Sequence, residues 1–167
     1  IATITVTPHF DNAGKICDGP TQTFTITVNP TGQVNDPSDQ VICNGSPVTA
    51  VTFTTANSGG TTTYTWTNDQ PGIGLAANGS GNIASFNAVN LTGAPIVATV
   101  TVTPHYDNGA PVCDGTPQTF TITVNPRGQV NDPSDQVLCN GGTVSAINFT
   151  TNNTIGVTTY SWTNTAT

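Results

Sequence analysis

The side chains best suited to chemistry in this sequence are two histidines and nine aspartates, and glutamate is absent altogether. His9 and His105 each follow a Thr-Pro pair, and each precedes an aspartate by two positions, Asp11 and Asp107. A histidine beside a carboxylate is the base-and-orienter half of a catalytic dyad. The other half, a nucleophile set in a distinctive local context, does not stand out among the many serines and threonines. The spacing reads instead as polar hairpin chemistry, and no catalytic residue is expected.

A second cluster is Asn35-Asp36-Pro37-Ser38-Asp39, which returns as Asn131-Asp132-Pro133-Ser134-Asp135. Two carboxylates with nearby carbonyls are hard oxygen ligands of the kind Ca²⁺ takes, here at a domain junction. The same residues are also the ordinary material of Asx and proline turns. The turn reading is preferred, and no cofactor is assigned. Asn44, Asn78, Asn90, Asn148 and Asn152 each open an Asn-x-Ser/Thr acceptor sequence, as chance produces in so Asn- and Thr-rich a chain. A Lys–Asn isopeptide crosslink is set aside, because Lys15 is the only lysine and Pro111 stands at its counterpart position.

Four cysteines, an even number without any Cys-x-x-Cys, suggest disulfides and an oxidising compartment better than a metal site. Two pairings come into question. Cys17 with Cys43 would have to bridge a linker after a strand that alone covers roughly 25 Å. Cys43 with Cys113 would lie within one domain, joining its first edge strand to the loop before its last strand. Since bonded cysteines must approach within about 7 Å between Cα atoms, the expected disulfide is Cys43–Cys113. Cys17 and Cys139 would then find partners outside the chain.

The net charge of −7 rests on only two cations, Lys15 and Arg127. Nothing here can neutralise a row of phosphates or dock on an anionic bilayer, so nucleic acid and membrane surfaces are excluded as partners. No apolar run approaches the roughly 18 residues of a membrane helix.

The elements that position these residues follow from an internal repeat. Thr3-Ile4-Thr5-Val6-Thr7-Pro8-His9-Phe10-Asp11-Asn12 recurs as Thr99-Val100-Thr101-Val102-Thr103-Pro104-His105-Tyr106-Asp107-Asn108. The offset is 96, and it also relates Cys17 to Cys113, Cys43 to Cys139, Tyr64 to Tyr160 and Trp66 to Trp162. Of the 71 positions that can be compared, 47 are identical, with no gap. A period of this length is a whole immunoglobulin-sized domain rather than a solenoid turn.

Within the period, residues alternate two by two. Ala2, Ile4 and Val6 face away from Thr3, Thr5 and Thr7; Phe24, Ile26 and Val28 alternate with threonines, as do Phe120, Ile122 and Val124. Such alternation specifies half-buried strands, and Thr suits the wet face because its β-branch favours extended backbone. Strands are expected near 33–35, 39–43, 47–55, 61–67, 73–76, 82–88, 96–106 and 117–125. The fold class is all-β, as tandem immunoglobulin-like antiparallel β-sandwich domains. Residues 1–30 are the last strands of one repeat, 31–126 a complete repeat, and 127–167 the first strands of another. Trp66 and nearly all of the eleven aromatics are expected to face inward. A longer parent, or strands supplied by neighbouring chains, is expected to complete the outer repeats.

Val41-Ile42-Cys43-Asn44-Gly45, Tyr64-Thr65-Trp66-Thr67 and Val112-Cys113-Asp114-Gly115, the last followed by Phe120-Thr121-Ile122-Thr123-Val124, give the chain a further likeness. It resembles the PKD-like, immunoglobulin-like tandem repeats of Bacteroidota cell-surface proteins, many of them adhesins, including those of gliding motility. The sequence departs from the better-known PKD pattern after the Trp, where Thr67-Asn68-Asp69 replaces an Asp-rich stretch. The resemblance implies a β-sandwich, export, and a structural or adhesive role in an extracellular stalk or filament. It also implies that the two cysteines of a repeat belong to one domain. The expected partners are neighbouring repeats of the same protein, self-assembling into a fibre. The alternative is a spacer or carbohydrate-binding module of a secreted hydrolase, which would need exposed aromatics.

Overall fold

The computed structural model describes residues 1–109 and 111–165, and among them no α-helix occurs. The chain is all-β. Its first four strands form two separate ribbons: β1 (Ala2–Val6) pairs with β4 (Gln22–Ile26), and β2 (His9–Asn12) with β3 (Lys15–Asp18). The next strands build one large sheet in the order β5-β12-β10-β7-β8, from Gln40–Cys43, Gln118–Asn125, Ile96–Asp107, Thr61–Asn68 and Asn78–Ser80. β11 (Cys113–Asp114) adds to the far end of β10. Opposite lies a small second layer, β6 (Pro47–Val48) with β9 (Phe86–Asn87), extended by an isolated bridge between Val51 and Ile83. Two β layers enclosing one core are consistent with a sandwich.

The alternation read from the sequence decides which side is covered. Along β10, Ala98, Val100, Val102, Pro104 and Tyr106 are buried and the residues between them are not. On β12, Phe120, Ile122 and Val124 are buried, and on β7 Tyr64 and Trp66. These meet Val48, Phe53, Ile83 and Ala88 from the second layer, with Ile73 and Leu75 closing one end. Phe53 sits between Tyr64 and Phe120, at ring-centroid distances of 5.3 and 6.4 Å. Trp66 is pressed flat under the backbone of Gly79. A Cβ there would fall 2.2 Å from the indole Cζ2, so only glycine lets β8 approach.

Three departures from the sequence expectation have identifiable causes. Residues 73–76 are not a strand: Pro71 opens a 3₁₀ turn, Pro71–Ile73, and Gly74 closes it at φ 97°. Residues 33–35 form no strand, and the expected strands at 47–55 and 82–88 shrink to short pairs, because asparagine, glutamine and serine side chains take over part of the backbone bonding. Phe53 N, for example, donates to Asn82 Oδ1 (2.9 Å), and Ser85 Oγ donates to Val48 O (2.7 Å). The third departure lies at the ends. Phe24 is 52% exposed although Phe120, its counterpart, is 2% exposed. Ribbon β1–β4 repeats the sequence and register of β10–β12 but has no second layer. Likewise residues 127–165 form no strand, and Trp162 is 74% exposed. The inward placement of the aromatics therefore holds for the middle of the chain and fails for Phe10, Phe24, Tyr160 and Trp162.

Phe120→Ala should cost about 3–5 kcal/mol of unfolding free energy, while Phe24→Ala at the matching position should change it by less than about 0.5 kcal/mol. Chemical denaturation of both variants, read by tryptophan fluorescence, checks the contrast. A second expectation concerns alkali. Burial raises the Tyr64 phenol above its ordinary 10.0, an effect partly offset by its hydrogen bond with Thr55. The folded chain then holds this proton more tightly than the unfolded one. The contribution is complete below about pH 10 and is lost as pH climbs through the raised value. Melting temperature should fall less steeply above about pH 10 in Tyr64→Phe than in the parent.

Candidate functional site

The histidines and aspartates are brought together, but not as the two-residue spacing suggested. His105 Nδ1 lies 2.6 Å from Asp114 Oδ1, across the β10–β11 pair, and His9 Nδ1 lies 2.6 Å from Asp18 Oδ1 in the same way. Asp107 instead accepts from Gly109 N (3.0 Å), and Asp11 from Gly14 N (3.0 Å), shaping the turns. His105 Nε2 also meets Thr65 Oγ1 at 2.8 Å on the adjacent strand β7. This row spans three strands on the outer face of the sheet. A hydroxyl, an imidazole and a carboxylate in line have the order of a hydrolytic triad. A triad also needs backbone donors aimed at an oxyanion; β7 and β10 here are paired with each other along their length. The row serves as a cross-strand clip. The partner aspartates were legible in principle, since each directly follows a cysteine at matching repeat positions.

One carboxylate of the acidic turn, Asp39, is taken by the sheet. Asp39 Oδ1, just before β5, accepts from Thr121 N of β12 (2.6 Å), and Asp69 Oδ1, just after β7, from Thr99 N of β10 (2.7 Å), each satisfying a donor of the neighbouring strand. No group of three or more His, Cys, Asp or Glu that could hold a metal ion occurs among the described residues.

The most organised polar chemistry lies where the repeat restarts. Asn57 binds the incoming linker from both sides: Gln33 N donates to its Oδ1 (2.7 Å), and its Nδ2 donates to Thr31 O (3.1 Å). Thr55 holds the asparagine in place, donating to its Oδ1 and accepting from its backbone N–H at 3.0 Å each. Ninety-six residues on, Asn153 makes the same four contacts, to Gln129, Arg127 and Thr151. Asn35 with Thr54 and Asn131 with Thr150 form a second matched pair, and Gln40 with Thr49 and Gln136 with Ser145 a third. These bonds persist in 127–165 although no strand forms there.

Each end of the central sheet also meets linker residues or residues on the linker's far side. At one end Gly32 N donates to Cys113 O (3.1 Å), with so little room that a Cβ on Gly115 would lie 1.7 Å from Gly32 O. Thr27, Val28 and Asn29 share a groove of about 440 Å³ with Asn108, Gly109, Pro111 and Cys113. At the other end Arg127 Nε donates to Asn44 O (2.9 Å), and Thr154 N donates to Gly93 O (2.8 Å). Asn90 is buried beneath this end, bonding Ala94 O, Val124 O and Thr92, while its N–H donates to Asn44 Oδ1. Its acceptor sequence is therefore spent on structure, and its amide is closed to a glycan.

The expected bridge between Cys43 and Cys113 is corrected by the sheet register. Cys43 lies beside Asn125, just past the point where Val124 faces Ile96, whereas Cys113 lies beside Tyr106. The β10 segment between those points spans about 34 Å, far beyond the roughly 7 Å a disulfide allows. No two of the four cysteines are bonded to each other. The sequence argument placed Cys43 on an edge strand and Cys113 before the last strand, but it had no means of telling that these are opposite ends.

No protein-family model matches the chain, and no curated protein matches it. The asparagine clasp carries a direct expectation. Asn57→Ala leaves Gln33 N and Thr31 O without their partner and should destabilise by about 1–3 kcal/mol, with hydrogen exchange faster in residues 31–35 and unchanged in β10 and β12.

Proposed function

We propose that this chain is a structural and adhesive module of a long bacterial extracellular filament or adhesin stalk, made of tandem immunoglobulin-like (PKD-like) sandwich units and performing no catalysis. In this reading residues 31–126 form one complete unit, 1–30 belong to the unit before and 127–167 to the unit after. The observation that carries it is the asparagine clasp, made with the same partners at Asn57 and at Asn153. A linker bonded identically at each restart holds successive units at a repeated angle. A repeated angle generates a rod or a helical fibre.

The partners follow from what lies open. Val6, Phe24 and Ile26 are about half exposed, while their counterparts Val102, Phe120 and Ile122 are buried. Val144, Ile147, Phe149 and Trp162 line an open apolar trough, and their counterparts are Val48, Val51, Phe53 and Trp66. The two surfaces are complementary parts of the same core. Further units cover them, in line or donated by another copy through strand pairing. The surface of the central sheet supports a passive shaft, with threonines outward and charges sparse. A carbohydrate-binding role gains nothing from the central unit, where Phe53, Tyr64, Trp66, Tyr106 and Phe120 are all buried. Export into an oxidising, extracellular setting accords with the even cysteine count.

Negative-stain or cryo-electron microscopy of the native assembly should show beads repeating at about 40 Å, the span of the twelve-residue strand β10. Isolated globules without any axial repeat would remove the filament reading.

A further inference from the structure

We infer that consecutive units are crosslinked across their junction by a disulfide, from the cysteine at the Cys43 position of one unit to the cysteine at the Cys113 position of the next. The inference rests on the tandem reading above and adds a covalent site to it.

Three observations place the two thiols together. First, the register of β5 on β12 sets Cys43 beside Asn125, at the end of the sheet where the chain leaves the unit. Its neighbour Asn44 takes Arg127 of the linker, so Cys43 stands next to the residues that lead onward. Second, Cys113 stands at the opposite end, where the chain arrives: its carbonyl accepts from Gly32 N. Third, the arriving residues that line one groove with Cys113 are known. Asn29, the counterpart of Asn125, lines the same groove as Cys113, and Asn108 Nδ2 reaches Asn29 Oδ1 at 3.5 Å. In a complete preceding unit, the residue paired beside Asn29 is the counterpart of Cys43. Asn125 and Asn29 are the same position seen once from each side of a junction, and each has a cysteine at its flank.

The exposures agree. Cys43 is exposed at the end where the chain leaves the unit, open to a partner from beyond it. Cys113, which has arriving residues against it, is partly covered, whereas its counterpart Cys17, which has none, is exposed. By this rule no two of the four cysteines in the chain are partners, and no two are bonded to each other.

Bond formation joins two Sγ atoms and releases two protons and two electrons. The electrons reduce the disulfide of a thiol–disulfide oxidant, such as glutathione disulfide or an exported oxidoreductase, to two thiols.

The test uses the whole chain followed directly by a second copy of residues 72–126, which completes the following unit because Thr167 occupies the repeat position of Pro71. In the added copy Val112→Ile supplies a mass label, the residue Ile16 already showing that isoleucine fits there. The extended chain is equilibrated with oxidised and reduced glutathione. The monomer is then alkylated, cleaved before aspartates, and mapped by mass spectrometry without reduction. The expected product joins the Cys43 peptide to the labelled copy of the Cys113 peptide, at least tenfold over any other pairing, with Cys17, Cys139 and the original Cys113 alkylated. A Cys43→Ser variant should free the labelled cysteine. A bond from Cys43 to the original Cys113, a bond from Cys43 to Cys17, or all five cysteines of the extended chain unbonded overturns the inference. Hydrogen exchange on the same sample separates the two readings. Protection of β10 in both units without the crosslink removes the disulfide alone; an unprotected second unit removes the tandem reading and the disulfide together.

Discussion

Everything in this molecule depends on covering one face of a two-stranded ribbon. β10 and β12 are joined by residues 108–117, which include β11, and pair along seven residues, yet a ribbon alone leaves its apolar side wet. The cover comes from residues well before them in sequence: β5 on one flank, β7 on the other, and the β6–β9 layer across the core. The chain contains its own control. β1–β4 has nearly the same residues and the same pairing, and without those partners its Phe24 and Ile26 stay about half exposed. Local sequence makes the ribbon, and distant sequence makes the fold.

Much of this was readable from residue types alone. Period-two alternation located β5, β7, β10 and β12 to within a residue or two, because threonine against β-branched and aromatic residues is a strong strand signal. The signal failed at 73–76, where an apolar alternation is overridden by the proline and glycine that bound a turn. It also failed across 47–55 and 82–88, where a side-chain amide and a serine hydroxyl bond the backbone in place of a ladder and periodicity carries no trace of the change. What alternation cannot give is which end of the sheet a residue occupies. Cys43 and Cys113 looked like neighbours through connectivity and proved to be a sheet length apart. The partner of His105 escaped for the same reason, since Asp114 reaches it through cross-strand register rather than sequence proximity.

The junction shows how an uncharged chain holds its parts. With two cations in all, ion pairs can contribute little beyond the His–Asp contacts. Asparagine takes their place: Asn57, Asn68 and Asn90 each satisfy backbone donors and acceptors at once, one amide closing several loose ends. Such contacts are insensitive to salt, unlike surface ion pairs, whose strength falls with ionic strength. The same residues that suggested a low-information, weakly interacting surface are the ones that fix the linker.

The parallel pairing of β5 with β12 has a mechanical meaning. These are the first and last strands of the central sheet, and they run side by side in the same direction, Gln40 beside Ile122 and Cys43 beside Asn125. A pull applied through the two ends of the chain draws β5 back toward its start and β12 forward toward its finish. The hydrogen bonds between them then bear the load in shear, all together, rather than opening one at a time like a zip. A tether built this way resists sudden stretching through its backbone geometry, whatever it happens to be holding.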